Sequence, residues 1–206
     1  MHKAGWKFVG ISGIVTILLL FLKWIPLAII AGVFTLFFIY FFRDPERQPP
    51  LDAKAIVSPA DGQVVSIGRA KPPFSEKEMQ KISIFMSIFD VHVNRMPYTG
   101  TIERIIYKKG RFLPAYKSKA DELNEANAIF CVKDTNEPFI VVQIAGILAR
   151  RIICLVKSKQ KIERGERIGI ICFGSRVDLY LPETATLLPL LGKRVKAGET
   201  IIGYWE

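Results

Sequence analysis

The sequence predicts a mostly-β domain behind an N-terminal hydrophobic helical hairpin, and three observations lead to that prediction. Two long apolar runs fill the first 42 residues. The charged, proline-rich segment RDPERQPP (43–50) then ends the helical pattern, because proline cannot continue a helix. After residue 54, short runs rich in Val, Ile, Phe and Tyr recur between turn residues. We therefore expect an anchor at 1–42, a linker at 43–54 and a β domain at 55–206.

The two apolar runs have the character of membrane helices. Residues 8–22 and 24–42 carry no charge, and only Lys23 separates them. Their lengths, 15 and 19 residues, approach the roughly 20 residues that span a bilayer. A second apolar run follows the first directly, so a removable signal peptide is not expected. The hairpin either spans the bilayer or enters it as a shallow wedge; two buried core helices are the alternative.

Basic residues flank the hairpin on both sides, with Lys3 and Lys7 before it and Arg43, Arg47 and Lys54 after it. The positive-inside rule then places both ends, and the domain that follows, on the cytoplasmic face of the cell membrane. The three cysteines are odd in number and lack metal-ligand spacing, which indicates core thiols in a reducing compartment and no metal site.

The net charge of +10, from 29 Lys and Arg against 19 Asp and Glu, bears on the partners of the protein. No nucleic-acid-binding motif accompanies it, so we expect no nucleic-acid partner. In a membrane-anchored chain, such a charge favours attraction to anionic lipid. A generally basic, solvated surface is the alternative.

The β domain contains a short internal repeat, the Gly-Glu echo. IERGERIGII (162–171) and VKAGETIIGY (195–204) share a Gly-Glu turn that opens a short strand. Two such units predict a small barrel or sandwich in which they are structural counterparts. VSPADGQVVSIG (57–68) has the rhythm of turns in lipoyl-carrier-like sandwiches, but no lysine occupies the hairpin tip, so the likeness is one of fold. The only helices expected in the domain are short, at SEKEMQK (75–81) and YKSKADELNEANA (116–128).

Three stretches place reactive side chains among apolar ones: SPADG with Asp61, FDVHVNRMP with His92, and CFGSRVDLYLP with Ser175. Asp-Gly is also an ordinary turn, and a lone histidine is often structural. Strand alternation puts His92 on the polar face of its run, where a base near neutral pH is plausible.

Aspartate, histidine and serine together suggest a hydrolase triad. However, the nucleophile elbow Gly-x-Ser-x-Gly is absent around Ser175. A Gly-Ser bond in a strained turn offers another reaction. The Ser175 oxygen attacks the carbonyl of Gly174 to give an ester, and β-elimination then breaks the chain, with His92 as a candidate base.

SPADGQVV, FMSIFDVHVNRMPYTG and FGSRVDLYLP, in that order behind the hairpin, resemble the phosphatidylserine decarboxylase proenzymes, specifically their short form. The resemblance covers nearly the whole chain. It implies self-cleavage between Gly174 and Ser175 into a β chain (1–174) and an α chain (175–206). It also implies that Ser175 becomes a covalent pyruvoyl group, with no metal needed.

In that family the pyruvoyl carbonyl forms a Schiff base with the amine of an anionic serine phospholipid. Loss of CO₂ then yields the ethanolamine lipid, phosphatidylethanolamine. The expected partners are therefore the membrane, the lipid and the two chains of one proenzyme. A homodimer, and an ester or ether linkage in the lipid, are left open.

The resemblance assigns Asp61 and a histidine to self-cleavage, together with Ser175. Long-form members carry His-x-x-His before the equivalent of Pro97, where this sequence has His92 and Arg95. His92 would then serve both self-cleavage and decarboxylation, or the triad is built differently. Arg176 stands where those members have threonine. It is a candidate for binding the lipid phosphate or carboxylate, as is Arg95, with an ion pair to Asp178 as the alternative.

Two other classes of protein stay open on the residues alone. One is a membrane-anchored carrier-like β module without chemistry, in which Asp61, His92 and Ser175 are turn and packing residues. The other is a lipid-directed serine hydrolase whose chain stays intact. The intact mass of the purified protein distinguishes the three hypotheses.

Overall fold

The computed structural model describes residues 1–110, 124–146, 151–172 and 174–206. They fall into two units, Met1–Glu46 and Arg47–Glu206. The division between the units lies inside the segment 43–54, where the sequence predicts a linker.

The N-terminal unit is a pair of apolar helices. A short 3-10 turn (Lys3–Gly5) leads into α1 (Trp6–Phe21), and α2 (Ile25–Phe41) follows after a turn in which Lys23 has a φ of +59°. The two helices run antiparallel, since Phe8 stacks on Phe42 at 5.2 Å and the Oγ1 atoms of Thr16 and Thr35 lie 3.4 Å apart.

The exposure of these helices bears on the membrane prediction. No residue of α1 is buried, which does not fit the alternative of a buried core helix. Within the described residues, Lys3–Phe21 is long and apolar enough to cross a membrane by length and composition, whereas Ile25–Phe41 is a shorter apolar helix. A hydrophobic anchor at the N-terminus is consistent with both features.

The second unit is built from short strands, as the recurring β-type runs predict. The strands described are β1 (Ala55–Val57), β2 (Gly62–Ala70), β3 (Met79–Met86), β4 (Val93–Arg95), β5 (Gly100–Lys108), β6 (Ala126–Val132), β7 (Pro138–Ala145), β8 (Arg151–Cys154), β9 (Lys161–Ile162), β10 (Arg167–Cys172), β11 (Ser175–Leu181), β12 (Ala185–Leu187), β13 (Arg194–Val195) and β14 (Ile201–Trp205).

These strands form one large sheet and two small ones. The large sheet has eight strands in the order β13-β2-β3-β11-β7-β6-β5-β9 and curls into a half-barrel. The three-stranded sheets β1-β14-β12 and β4-β10-β8 complete the unit. The prediction of a mostly-β barrel or sandwich is confirmed.

Strand β11 lies between β3 and β7, and both of its faces are covered. Val177 and Leu179 point into the main hydrophobic core, while Tyr180 belongs to a second, smaller cluster on the opposite face. Every residue of β11 is buried as a result. Its first residue, Ser175, shares the core face because side chains alternate along a strand.

The Gly-Glu echo folds as predicted into two counterparts. One copy forms β9, a turn and β10, and the other forms β13, a turn and β14. The turns meet in space, since a Cβ placed on Gly198 would lie 3.5 Å from the Cα of Gly165.

The prediction of a helix at SEKEMQK is wrong. Residues 75–78 form no regular element, and Met79 begins β3, because Met79 and Ile82 are needed in the two hydrophobic clusters. The second expected helix, at 116–128, lies partly outside the described residues. Its last three residues, Ala126–Ala128, belong to β6.

Candidate active site

The three predicted stretches meet at one end of the large sheet. Ser175 pairs with Met86, the last residue of β3, and on the other side of β3 Phe85 pairs with Gln63 of β2. Asp61 directly precedes β2. Since neighbouring strands lie about 4.8 Å apart, the backbone at Asp61 is roughly 10 Å, or two strand spacings, from Ser175.

Gly174, whose carbonyl belongs to the Gly174–Ser175 peptide bond, is hydrogen-bonded on both sides. The amide N–H of Gly174 donates to Nε2 of His92 at 3.3 Å. The carbonyl oxygen of Gly174 accepts a hydrogen bond from the amide of Gly146 at 3.0 Å. Gly174 has a φ of +63°, the left-handed region that favours glycine. A backbone donor therefore binds the carbonyl of the Gly174–Ser175 bond, and the His92 ring binds the amide that precedes it.

The hydroxyl of Ser175 is an exception among buried polar groups. The residue is fully buried, and its Oγ has no hydrogen-bond partner among the residues that the structure describes. Such an orphaned group is costly and points to a functional cause. A hydroxyl that no hydrogen bond restrains can turn toward the adjacent carbonyl carbon.

The ring of His92 has a defined tautomer. Its Nδ1 lies 2.9 Å from the carbonyl oxygen of Asp90, while its Nε2 accepts from Gly174. This network assigns the proton to Nδ1 and leaves the Nε2 lone pair directed at the Gly174–Ser175 turn. The backbone of His92 is fixed as well, since its carbonyl accepts from Ile171 of β10 at 3.3 Å.

The turn that contains Asp90 positions the backbone carbonyl that contacts the His92 ring. The amide of Asp90 donates to the carbonyl of Ser87 at 3.0 Å, and both the amide and the hydroxyl of Ser87 donate to the Asp90 carboxylate at 2.8 Å. Arg194 forms an ion pair with the same carboxylate. Sequence reasoning missed Asp90, although the pattern Ser-x-x-Asp is a signal for such a turn.

Asp61 is held by a different set of groups. Its carboxylate accepts from Arg47 at 2.9 Å and from the amide of Ala197 at 2.7 Å. Arg47 also pairs with Glu199 at 2.9 Å. The role predicted for Asp61 in self-cleavage stays a prediction. The Asp90 carbonyl is one group that orients the His92 ring.

The two arginines proposed to bind substrate are almost fully buried. Arg95 donates to the carbonyl of Gly165 at 2.7 Å. Arg176 forms the ion pair with Asp178 that the sequence left as an alternative: its Nε lies 2.8 Å from Oδ1 without hydrogen-bond geometry, and its Nη2 donates to Oδ2 at 3.0 Å. Both contacts stabilise the fold, and lipid binding by either residue stays a prediction.

A buried polar chain lies on the core face of the sheet near the site. Asn127 donates to Gln143 at 2.9 Å, and Gln143 donates to Asn94 at 2.8 Å. This chain joins the large sheet to β4, the strand that follows His92. Spacing along the sequence gives no signal for it, because its members come from strands that meet only in the fold.

Cys172 lies two residues before Gly174, and burial raises the pKa of its thiol to about 11. The thiol is therefore protonated near neutral pH and does not compete with Ser175 as a nucleophile. Among the described residues, no cluster of His, Cys, Asp and Glu has the arrangement of a metal site.

The fold and this site define a class of protein: a mostly-β protein in which a histidine and a backbone amide bind the glycine that precedes a buried serine. Comparison with known proteins names the family. The family model described as phosphatidylserine decarboxylase matches residues 34–203. The chain therefore belongs to the phosphatidylserine decarboxylase family and is an enzyme.

Three curated relatives, each named phosphatidylserine decarboxylase proenzyme, match over nearly the whole chain. The protein of Geotalea uraniireducens is 44% identical, with 97% of this chain and 93% of the relative covered. Those of Beijerinckia indica and Desulfotalea psychrophila are 45% and 43% identical; each match covers 98% of this chain, and 88% and 94% of the respective relative.

Proposed function

We propose that this chain is a self-processing, pyruvoyl-dependent decarboxylase that converts an anionic serine phospholipid to the ethanolamine lipid. The family supports the activity, and the word proenzyme in the names of its relatives supports processing. The observation that carries the proposal is that His92 and Gly146 both bind Gly174, the residue before Ser175, through its amide and its carbonyl.

The first step of processing combines Ser175 with the two groups that bind Gly174, His92 and the Gly146 amide. Nε2 of His92 is the base for the Ser175 hydroxyl, whose oxygen attacks the carbonyl carbon of Gly174. The Gly146 amide donates to the oxygen on which negative charge develops. The bond between the Gly174 carbon and the Ser175 nitrogen then breaks, the nitrogen takes up the proton, and an ester replaces the amide.

The second step breaks the ester. Loss of the Ser175 α-proton to a base expels the ester oxygen, so that Gly174 ends in a carboxylate and residue 175 becomes a dehydroalanine. Addition of water and loss of ammonia leave a pyruvoyl group at the start of the α chain (175–206). The turn fits this outcome, because Gly174 has no side chain to hinder attack and no described group restrains the Ser175 hydroxyl.

A pyruvoyl group at residue 175 would supply a carbonyl that condenses with the serine amine of the lipid and accepts the electrons released with CO₂. His92 stays beside this position, because its ring is fixed by the Asp90 carbonyl and its backbone by β10. Its Nε2 is suited to moving a proton at the carbon that loses CO₂, the second role considered for the lone histidine of the domain.

The N-terminal unit supports a location at the cell membrane, where a lipid substrate resides. Its apolar helices have the composition of an anchor, and Lys3 and Lys7 favour a cytoplasmic orientation for the ends. The net charge of +10 favours retention of the anionic substrate over the less anionic product.

Burial weighs against the alternative of a serine hydrolase that keeps its chain intact. Such an enzyme presents its nucleophile to an incoming substrate, whereas Ser175 is fully buried in the intact chain. A carrier-like module without chemistry leaves the orphaned hydroxyl unexplained. Self-cleavage explains both observations, since the nucleophile attacks its own backbone and needs no access.

The intact mass of the purified full-length protein tests the proposal. We expect two chains. The smaller chain begins at residue 175 and has no free amino terminus. The processed protein should release CO₂ from phosphatidylserine. Ser175→Ala should stay one chain of 23.3 kDa and be inactive. Ser175→Cys should cut slowly, because a thiol can make the same acyl shift. Ser66→Ala, at an exposed position of strand β2, is the matched control and should cut normally. A wild-type chain that is active while uncut would overturn the proposal.

A further inference from the structure

Two turns beside the candidate site project large apolar side chains into solvent. One contains Phe89, two residues after Ser87 and three before His92, and the other contains Leu191. We propose that these turns form a docking surface for a bilayer that contains anionic phospholipid. This inference rests on the proposed function, since it supplies the surface through which a lipid headgroup would reach Ser175.

Hydrogen bonds close the first turn, in which Phe89 is exposed. A hydrogen bond of 3.0 Å from the amide of Asp90 to the carbonyl of Ser87 closes it, and Ser87 also binds the Asp90 carboxylate. Phe89 is 63% exposed in this closed turn. The hydrogen-bonded backbone of the turn therefore holds the Phe89 side chain in its exposed position.

The second turn is equally fixed. The amide of Lys193 donates to the carbonyl of Leu190 at 2.9 Å, and Gly192 has a φ of +78°, as a type II turn requires. Reciprocal bonds between Gly192, Lys193 and Val64 of β2 anchor it to the sheet. Leu191 stands at its corner and is 62% exposed, within the apolar stretch LLPLLGKR (187–194).

An ion pair joins the two turns. Arg194, which directly follows the second turn, pairs with Asp90 of the first. Leu191 lies three residues from Arg194, which is at most about 10 Å of chain, and Phe89 adjoins Asp90. The two apolar tips are thus parts of one patch rather than scattered exposed residues. The Asp90 carbonyl connects this patch to the His92 ring.

The charge around the tips identifies the partner. Lys193 and Arg194 are exposed, and Asp90 is the only carboxylate in residues 87–92 and 187–194. Arg194 pairs with Asp90, so Lys193 supplies the net positive charge beside the tips. Apolar tips next to a cation match the interface of an anionic bilayer, where the tips enter the acyl boundary and the cation meets phosphate. The proposed substrate is an anionic lipid of that same interface.

The decisive experiment uses the full-length protein in vesicles, with an environment-sensitive fluorophore on Leu191→Cys in a Cys154→Ser background. The other two cysteines are buried. The matched control carries the fluorophore on Phe74→Cys. Phe74 is also an exposed phenylalanine, but it lies before β3, at the opposite end of that strand from Met86. The vesicles contain phosphatidylcholine alone or with phosphatidylglycerol.

We expect aqueous iodide to quench the label at 191 about tenfold less in phosphatidylglycerol vesicles than in detergent, and the label at 74 equally in both. High salt should restore quenching at 191. Equal quenching at the two positions in vesicles would overturn the inference. Protection at 191 that also appears in detergent and grows with protein concentration would assign the surface to a second copy of the chain and overturn it too.

A second measurement separates this inference from the proposed function. Phe89→Asp with Leu191→Asp should lower turnover of phosphatidylserine in vesicles at least about fivefold, because each added charge opposes insertion, while Phe74→Asp should not. The fluorescence readout needs neither self-cleavage nor activity. An uncut or inactive wild-type chain would therefore refute the proposed function. The fluorescence measurement on that chain would still test whether the docking surface exists.

Discussion

The amide of Gly146 donates a hydrogen bond of 3.0 Å to the carbonyl oxygen of Gly174. Gly146 follows β7 directly, and Gly174 precedes β11, so the antiparallel pairing of Ala145 with Ser175 brings the two glycines together. In the proposed self-cleavage this oxygen would become an oxyanion. The pairing of two strands thus places a preorganised donor where that charge would develop.

Removing that donor should slow self-cleavage. Gly146→Pro eliminates the N–H, and Gly146→Ala keeps it. We expect the proline variant to cut about 10²–10³-fold more slowly, the cost of removing one oxyanion donor, with the alanine variant close to wild type. The fraction of cut chain after cell-free synthesis, followed over time on a gel, measures the rate. Melting by circular dichroism checks folding, and equal cutting rates in two folded variants would rule out the role.

His92 should be needed for the first step of processing. His92→Ala leaves no base at Nε2, so the ester should not form and the chain should stay intact. Hydroxylamine cleaves esters selectively, so it should release no fragment from His92→Ala. Release of a fragment ending at Gly174 would show instead that the ester forms without His92, which would then act only in elimination. His2→Ala, at the only other histidine, should process normally.

Much of this arrangement could be predicted from the sequence, and the rest could not, for physical reasons. Hydrophobic alternation and turn residues predict the β domain, and the two Gly-Glu turns predict paired units. The stretches around Asp61, His92 and Ser175 are visible as polar residues in apolar company. The helix at SEKEMQK was wrong because tertiary packing overrode local propensity at Met79.

The contacts that shape the site come from strand pairing. Gly146 is an ordinary glycine in the sequence, and only the register of β7 on β11 makes it a donor. Asp90 acts on His92 through a backbone carbonyl, which any residue type carries. The Asn127–Gln143–Asn94 chain likewise joins strands far apart in sequence. Local sequence patterns do not predict contacts between residues that are far apart in the sequence.

Cys172 should be inert despite its position near the cut. Burial raises its pKa to about 11, above the ordinary value near 8.5. A raised pKa means less thiolate at a given pH, so about one thiol in a thousand is ionised at pH 8. On the Cys154→Ser background, iodoacetamide at pH 8 should therefore leave self-cleavage and activity unchanged, and a peptide map should show no label at Cys172 in the folded protein. Alkylation should accelerate as the pH rises toward 11. Rapid labelling at pH 8 would contradict this expectation.

Arg176 should matter for stability rather than for lipid affinity. It pairs with Asp178, which is fully buried and also lies 3.0 Å from the Nζ of Lys81. Breaking a buried ion pair typically costs about 3–5 kcal/mol, because one charge is left uncompensated. Lys81 still neutralises Asp178 in the Arg176→Met variant, so we expect a loss of about 3 kcal/mol in the free energy of unfolding.

Denaturant unfolding in detergent, on the uncut Ser175→Ala background, measures that loss. Arg69→Met is the matched control, since its pair with Glu183 is exposed and should contribute less than about 1 kcal/mol. In the Ser175 protein, folded Arg176→Met should keep the KM of the wild type for phosphatidylserine in vesicles. A KM raised severalfold with unchanged stability would instead show that Arg176 leaves Asp178 and binds the lipid phosphate or carboxylate.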